Sequence, residues 1–149
     1  MPYTDLLRGR WSCVSHAYLI TAATDKRRPL FVDFALGAIV AKELMRMRRT
    51  GIWSVHAWVL MPDHFHVLCE LRSESLARSV QRFKGRSAFG INAVRDSRAS
   101  VWQRGYHDHA LRKEEAIADV ARYIVANPLR AGLVERLRDY PFWDAAYLS

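Results

Sequence analysis

The sequence predicts an α+β domain of ferredoxin-like (RRM-like) type. That is a split βαβ antiparallel sheet with helices on one face, plus a C-terminal helix that carries a tyrosine. Two observations predict it. Strand-like runs and helical periodicities follow one another as strand, helix, strand, strand, helix, strand, helix, with no repeat or low-complexity tract between them. The length of 149 residues, 50% of them hydrophobic, suits a single domain over residues 1–149 with a sizeable core.

The elements follow in order. Ser15-His16-Ala17-Tyr18-Leu19-Ile20-Thr21 is rich in aromatic and β-branched residues and reads as a strand, and Asp25-Lys26-Arg27-Arg28-Pro29 as its turn. Residues 32–49 read as a helix with Phe34, Ile39, Val40 and Leu44 among its apolar positions. Its basic end, Arg46 to Arg49, suits the negative pole of the helix dipole before a stop at Gly51. Residues 52–60 and 64–71 read as a hairpin joined by Met61-Pro62-Asp63. A second helix is expected over residues 75–93, with Leu76, Val80 and Phe83 on one side and Arg78, Arg82 and Arg86 in a separate row. An extended piece, 101–111, precedes a last helix over 113–127 that Pro128 should end.

Composition excludes several classes. The 23 Lys and Arg against 15 Asp and Glu leave a charge of +8, which favours a polyanionic partner, nucleic acid before membrane. Charges break every apolar stretch well short of a membrane span, and no signal-peptide pattern follows Arg8 and Arg10, so a cytoplasmic location is expected. Cys13 and Cys69 are too few for a disulfide framework or a four-thiolate zinc site and read as small core residues. There is no Gly-rich phosphate loop, nucleophile elbow or dinucleotide fingerprint.

The candidate chemistry sits on the second hairpin strand. Side chains alternate across a strand, so Phe65, Val67, Cys69 and Leu71 share an apolar face, while His64, His66 and Glu70 share the other with Leu68. Two imidazoles two residues apart on a strand can reach one metal ion; the ordinary reading of an isolated His-x-His is a surface pair. A second such pair, His107 and His109, lies in a more polar stretch and is assigned a supporting role around the site, as is Asp63. On the last helix Ile117, Val120, Ala121 and Ile124 form the core stripe. Tyr123 falls outside it, with Asn127 one turn further on the same side. Two imidazoles, a phenol and an amide suit metal-assisted phosphoryl transfer, although a boundary tyrosine is the ordinary alternative. A phenol ordinarily ionises only near pH ~10, so a phenol nucleophile needs positive charge close by. Arg78, Arg82, Lys84, Arg86 and Arg104, with Arg98, Arg112 and Arg122, are candidate phosphate contacts. Trp102 and Tyr106 are candidate stacking residues, whereas Trp53 and Trp58 read as core.

Several segments together resemble the REP-associated tyrosine transposases, a branch of the single-tyrosine HUH transposases. Met61-Pro62-Asp63-His64-Phe65-His66-Val67-Leu68 resembles the histidine-hydrophobe-histidine motif. Tyr18-Leu19-Ile20-Thr21 with Arg28-Pro29-Leu30-Phe31 is similar to the family's first strand and turn. Val101-Trp102-Gln103-Arg104-Gly105-Tyr106-His107-Asp108-His109 resembles the segment before the last helix, and Tyr123 to Val134 the tyrosine helix and its exit. The likeness spans residues 16–140. It implies a DNA transposase that cleaves and rejoins single-stranded DNA by metal-dependent transesterification. His64 and His66 would hold Mg²⁺ or Mn²⁺, Asn127 would join the metal directly or through water, and Tyr123 would form a 5′-phosphotyrosine intermediate. The implied substrate is a REP-type palindrome hairpin with a short flank, which Arg8 and Arg10 would touch, and the implied state is a monomer, with a dimer as the alternative. The wider superfamily often has Gln in place of Asn127 and Asn in place of Asp63. Two alternatives remain at this level: a non-catalytic nucleic-acid-binding domain on the same fold, and a metal nuclease that uses water.

Overall fold

A computed structural model describes residues 17–111 and 114–146. The expectations at Arg8, Arg10, Cys13, Ser15, His16 and Arg112 lie outside the described residues. The elements are β1 (Ala17–Ala23), α1 (Phe34–Arg49), β2 (Trp53–Met61), β3 (His64–Leu71), α2 (Leu76–Arg95), β4 (His107–Leu111), α3 (Glu114–Val125), α4 (Asn127–Arg130) and β5 (Trp143–Ala145). The sheet order is β4-β1-β3-β2-β5, and every neighbouring pair is antiparallel. β1 to β4 with α1 and α2 form the expected split βαβ pattern.

Local chemistry sets the helix ends. The Asp33 carboxylate accepts the Ala35 amide at 2.9 Å, so α1 starts at Phe34 and Val32 falls in a preceding 3₁₀ turn. Such a cap contributes about 1 kcal/mol. Ser75 does the same for α2, accepting the Arg78 amide at 3.2 Å, and Asp96 closes that helix in the left-handed conformation. Of the extended piece expected over 101–111, only His107–Leu111 pairs as a strand; Trp102 instead makes an isolated bridge to Thr24. Pro128 does not end the last helix. α3 stops at Val125, and Pro128 enters the first turn of α4, where a missing N–H is harmless. β5 had no counterpart in the sequence reading, which its three residues explain.

The sheet is buried on both faces. On one, Tyr18, Ile20, Trp53, Trp58, Leu60, Phe65, Val67 and Cys69 pack against Leu36, Val40, Leu44 and Met47 of α1 and Leu76, Val80, Phe83 and Ile91 of α2. On the other, Ala17, Ala57, Val59, Met61 and Leu68 meet Ala121, Ile124 and Val125 of α3. α1 and α2 thus share one face as expected, and the C-terminal helix covers the opposite one. Leu68 is the reason: as the apolar residue on the histidine face of β3, it is buried beneath α3.

Candidate active site

The register lines up the polar face. His107 of β4, Thr21 of β1, His66 of β3, Val59 of β2 and Trp143 of β5 form one row across the sheet. The neighbouring row is His109, Leu19, Leu68, Ala57 and Ala145. His64 pairs with Met61 at the end of the hairpin, beside the Pro62-Asp63 turn. That turn is pinned by backbone bonds, Thr24 N–H to the Asp63 carbonyl at 2.9 Å and Phe31 N–H to the Pro62 carbonyl at 3.0 Å.

Each imidazole is held through Nδ1. His66 Nδ1 shares a 2.8 Å hydrogen bond with Thr21 Oγ1, and His64 Nδ1 one of 2.7 Å with Asp63 Oδ1. Arg27 holds Asp63 in turn, Nε to Oδ2 at 3.0 Å. The two rings lie edge to face with centroids 4.8 Å apart. A ligating histidine is typically oriented by a hydrogen bond at its other nitrogen, and this arrangement leaves both Nε2 atoms for an ion. Burial, then the charges of His64, Arg130 and Arg27, pushes His66 down to about 4, so at neutral pH its ring is the uncharged form that a metal needs. Burial alone would raise the Asp63 carboxyl, but the His64 hydrogen bond and the Arg27 charge together hold it below its usual value. Among the described residues no three His, Cys, Asp or Glu side chains gather into a metal cluster. Two imidazoles are a partial donor set, and the rest of an ion's shell would have to come from Asn127, water or phosphate oxygens. Glu70, on the same face, is engaged elsewhere, accepting from His56 Nε2 at 2.8 Å.

α3, the helix that carries Tyr123, packs on this face. Ala121, Ile124 and Val125 face the sheet, which leaves Tyr123 65% exposed on the outer side. The helical assignment pauses at Ala126 before α4, and the Arg130 guanidinium lies over the Tyr123 ring, 4.0 Å from its centroid. The Arg130 charge also contributes to the downward shift of His66. Asn127 donates from Nδ2 to the Ile124 carbonyl at 2.9 Å, which leaves Oδ1 as the atom it could offer an ion. His107 and His109 lie on the site's face but on the outer strand, with β1 between them and His66. The supporting bond predicted from them comes to His66 from Thr21 instead. Sequence reasoning missed Thr21, Arg27 and Arg130; alternation along β1 put Thr21 on a face, but only the register names its partner.

The basic residues divide differently from the expectation. α2 lies on the face opposite His64 and His66, so Arg78, Arg82 and Arg86 do not border the site. Arg82 pairs with Glu74 at 2.6 Å and Arg86 with the buried Glu43 at 3.1 Å, while Arg78 and Arg104 are exposed. Lys84, expected to contact phosphate, instead holds the loop before β4. Its ammonium donates to the Gln103 carbonyl at 2.7 Å and the Gly105 carbonyl at 2.6 Å, and burial lowers its pKa. Trp102, expected as a stacking residue, is buried, with Nε1 donating to Ser87 Oγ at 3.0 Å.

Comparison with known proteins adds a family context. Residues 12–127 match the family model described as "Transposase IS200 like". The chain is 25% identical over 104 residues to the REP-associated tyrosine transposase of Escherichia coli K12, covering 66% of this chain and 58% of that protein. It is 27% identical over 94 residues to a Haemophilus influenzae protein provisionally given the same name, covering 56% of this chain and 53% of that one. The aligned part thus spans little more than half the length of these curated relatives. The solved structure of a REP-associated tyrosine transposase bound to a REP hairpin superposes with a TM-score of 0.68 at 21% identity, covering 86% of this chain and 75% of that one. At that identity the likeness is one of fold.

Proposed function

The chain belongs to the IS200-like transposase family, and from that premise we propose that it nicks and rejoins single-stranded DNA through a covalent bond to Tyr123. The observation that supports this reading is that α3, which carries Tyr123, packs on the sheet face that bears His64 and His66, with Arg130 over the Tyr123 ring. In the forward step the Tyr123 phenol oxygen attacks the scissile phosphorus and the bond to the 3′ oxygen breaks. The phenolic proton passes to solvent, and the departing oxygen takes one up as a 3′-hydroxyl. The 5′-phosphotyrosine keeps the phosphodiester energy, so the reverse attack by a 3′-hydroxyl reseals a strand without a nucleotide cofactor. A divalent cation, Mg²⁺ or Mn²⁺, held by His64 and His66 would neutralise charge on the non-bridging phosphate oxygens. Asp63 and Thr21 fix the two rings in place. Arg130 presents a planar donor group that suits a phosphate oxygen next to the phenol.

The substrate class in this reading is a hairpin-bearing strand, by likeness to the transposases named above, bound by a monomer in the cytoplasm. Among the described residues no helix is long and apolar enough to cross a membrane. The test is covalent trapping: the protein is mixed with hairpin-bearing single strands and Mg²⁺ or Mn²⁺, then resolved under denaturing conditions. A shifted band that depends on metal and is lost in Tyr123→Phe is expected. Full adduct from Tyr123→Phe would falsify the choice of nucleophile, and cleavage with no adduct would identify a water-using nuclease. Unchanged activity in His64→Ala with His66→Ala would remove the metal role and favour a plain binding domain.

A further inference from the structure

A groove of about 600 Å³ opens between α2 and the loop over residues 99–106, on the face of the sheet away from Tyr123 and the histidine pair. Val80, Val101 and Trp102 make its apolar floor, and Gln81, Asn92 and Arg104 stand around it. Flat apolar space edged by amides and a guanidinium matches the chemistry of a nucleobase, whose faces are apolar and whose edges are amide-like. Asn92 sharpens the match. Its Nδ2 donates to the Ala99 carbonyl at 3.0 Å, and its buried Oδ1 has no partner among the described residues. A buried acceptor of this kind calls for a donor, and an exocyclic amine on a base is one.

Gly85 points the same way. Mid-helix glycine lowers helix stability and usually has a packing reason. At Gly37 a Cβ would meet the Phe142 ring at 2.3 Å, and at Gly90 it would meet Ile39 at 2.8 Å, whereas at Gly85 it would meet nothing within 4 Å. Gly85 lies where the groove joins a shallower one lined by Arg78, Gln81, Arg82 and Arg86. Bare backbone there leaves the passage between the two open. Phe89, one turn further along α2, is 80% exposed beside it. The edge strand β4 links the two sides of the sheet, because exposed His107 stands in the His66 row and the preceding Tyr106 lines the groove.

We propose that this groove seats an unpaired base of single-stranded DNA whose backbone crosses the Arg78–Arg82–Arg86 row, a second strand-binding surface separate from the cleavage site. It rests on the function proposed above only for the kind of polymer. The probes are labelled oligonucleotides of about a dozen nucleotides without hairpins, oligo-dA, oligo-dC and oligo-dT, with affinity read by fluorescence anisotropy on the full chain. Adenine and cytosine carry an exocyclic amine and thymine does not, so oligo-dA and oligo-dC should bind at least about fivefold more tightly than oligo-dT. Asn92→Leu should erase that preference. Gly85→Leu, a change that favours the helix, should keep or raise the melting temperature while weakening oligo-dA binding about tenfold. Equal binding of the three homopolymers, or undiminished binding by folded Gly85→Leu, overturns the proposal. A change in sedimentation on Gly85→Leu with oligonucleotide binding intact would also overturn it and assign the groove to a second copy of the chain. Tyr123→Phe should bind these probes as the parent does, so a failure of the cleavage reading remains distinguishable from a failure here.

Discussion

Beneath α1 and α2 the sheet meets its helices through rings and long aliphatic chains. Phe65 stacks on Phe83 with centroids 4.8 Å apart, and Trp53 and Trp102 flank the same ring at 5.6 and 6.2 Å. Beneath α3 no aromatic ring is buried among the described residues: Val59, Met61, Leu68, Leu111, Ile124 and Val125 pack with Ala17, Ala57, Ala121 and Ala145. Large residues on the first face bury the apolar area that holds the fold. The second face buries aliphatic chains and alanines without rings, and two imidazoles stay half-buried at its margin. Stability and chemistry are thereby assigned to opposite sides of one sheet.

Breaking that division should have its largest effect at Phe83. Phe83→Ala should cost about 3–5 kcal/mol, read as a lower denaturant midpoint, with adduct formation falling only as the folded fraction falls. A stability change under about 1 kcal/mol would mean the first core is far more plastic than its stacked rings indicate. On the other face, Thr21→Val keeps the side-chain shape and removes the hydroxyl that orients His66. Metal-dependent cleavage should drop about 10–100-fold while the melting temperature barely moves. Unaltered cleavage would show that His66 needs no such bond. Arg130 is the next finer probe. Arg130→Lys keeps the charge but loses the planar group over Tyr123, so a loss of about tenfold in adduct rate is expected, with more for Arg130→Ala. Equal rates for the lysine variant and the parent would leave charge alone as the contribution.

The smallest effect concerns Tyr140, which packs against both cores and donates its hydroxyl to the Leu60 carbonyl. Burial raises its pKa from 10.0 to about 12. A raised folded-state value means that the unfolded chain gives up the proton first. The stabilising contribution is therefore complete below pH 10 and disappears as the pH rises through about 12. Tyr140→Phe should flatten that alkaline slope in urea titrations; an unchanged slope would assign it to another group.

How much of this could be read from the residues depends on the range of the interaction. The Asp33 cap, which moves the start of α1 to Phe34, is absent from the sequence reading, whereas the hairpin and the split of β3 into two faces follow from alternation and near neighbours. The side of the sheet that α3 covers does not, because it is decided by the burial of Leu68 against residues far along the chain. Thr21 meets His66 only through strand register, and Arg130 lies about two turns beyond Tyr123, across the Pro128 expected to end the helix. Lys84 and the arginines around it look alike in sequence; the loop that folds over Lys84 is what separates it from them.

Cys69 carries one more consequence. It lies on the strand that bears both imidazoles, fully buried, with its thiol pushed well above the usual range by burial and then by the Glu70 charge. A thiol so placed reacts with alkylating reagents only after β3 has parted from its neighbours. With Cys13 changed to Ser, the labelling rate at Cys69 becomes a clock for the opening of the strand that bears both imidazoles. Run with and without divalent metal, that clock would register occupancy of the histidine pair as slower labelling, with no DNA present.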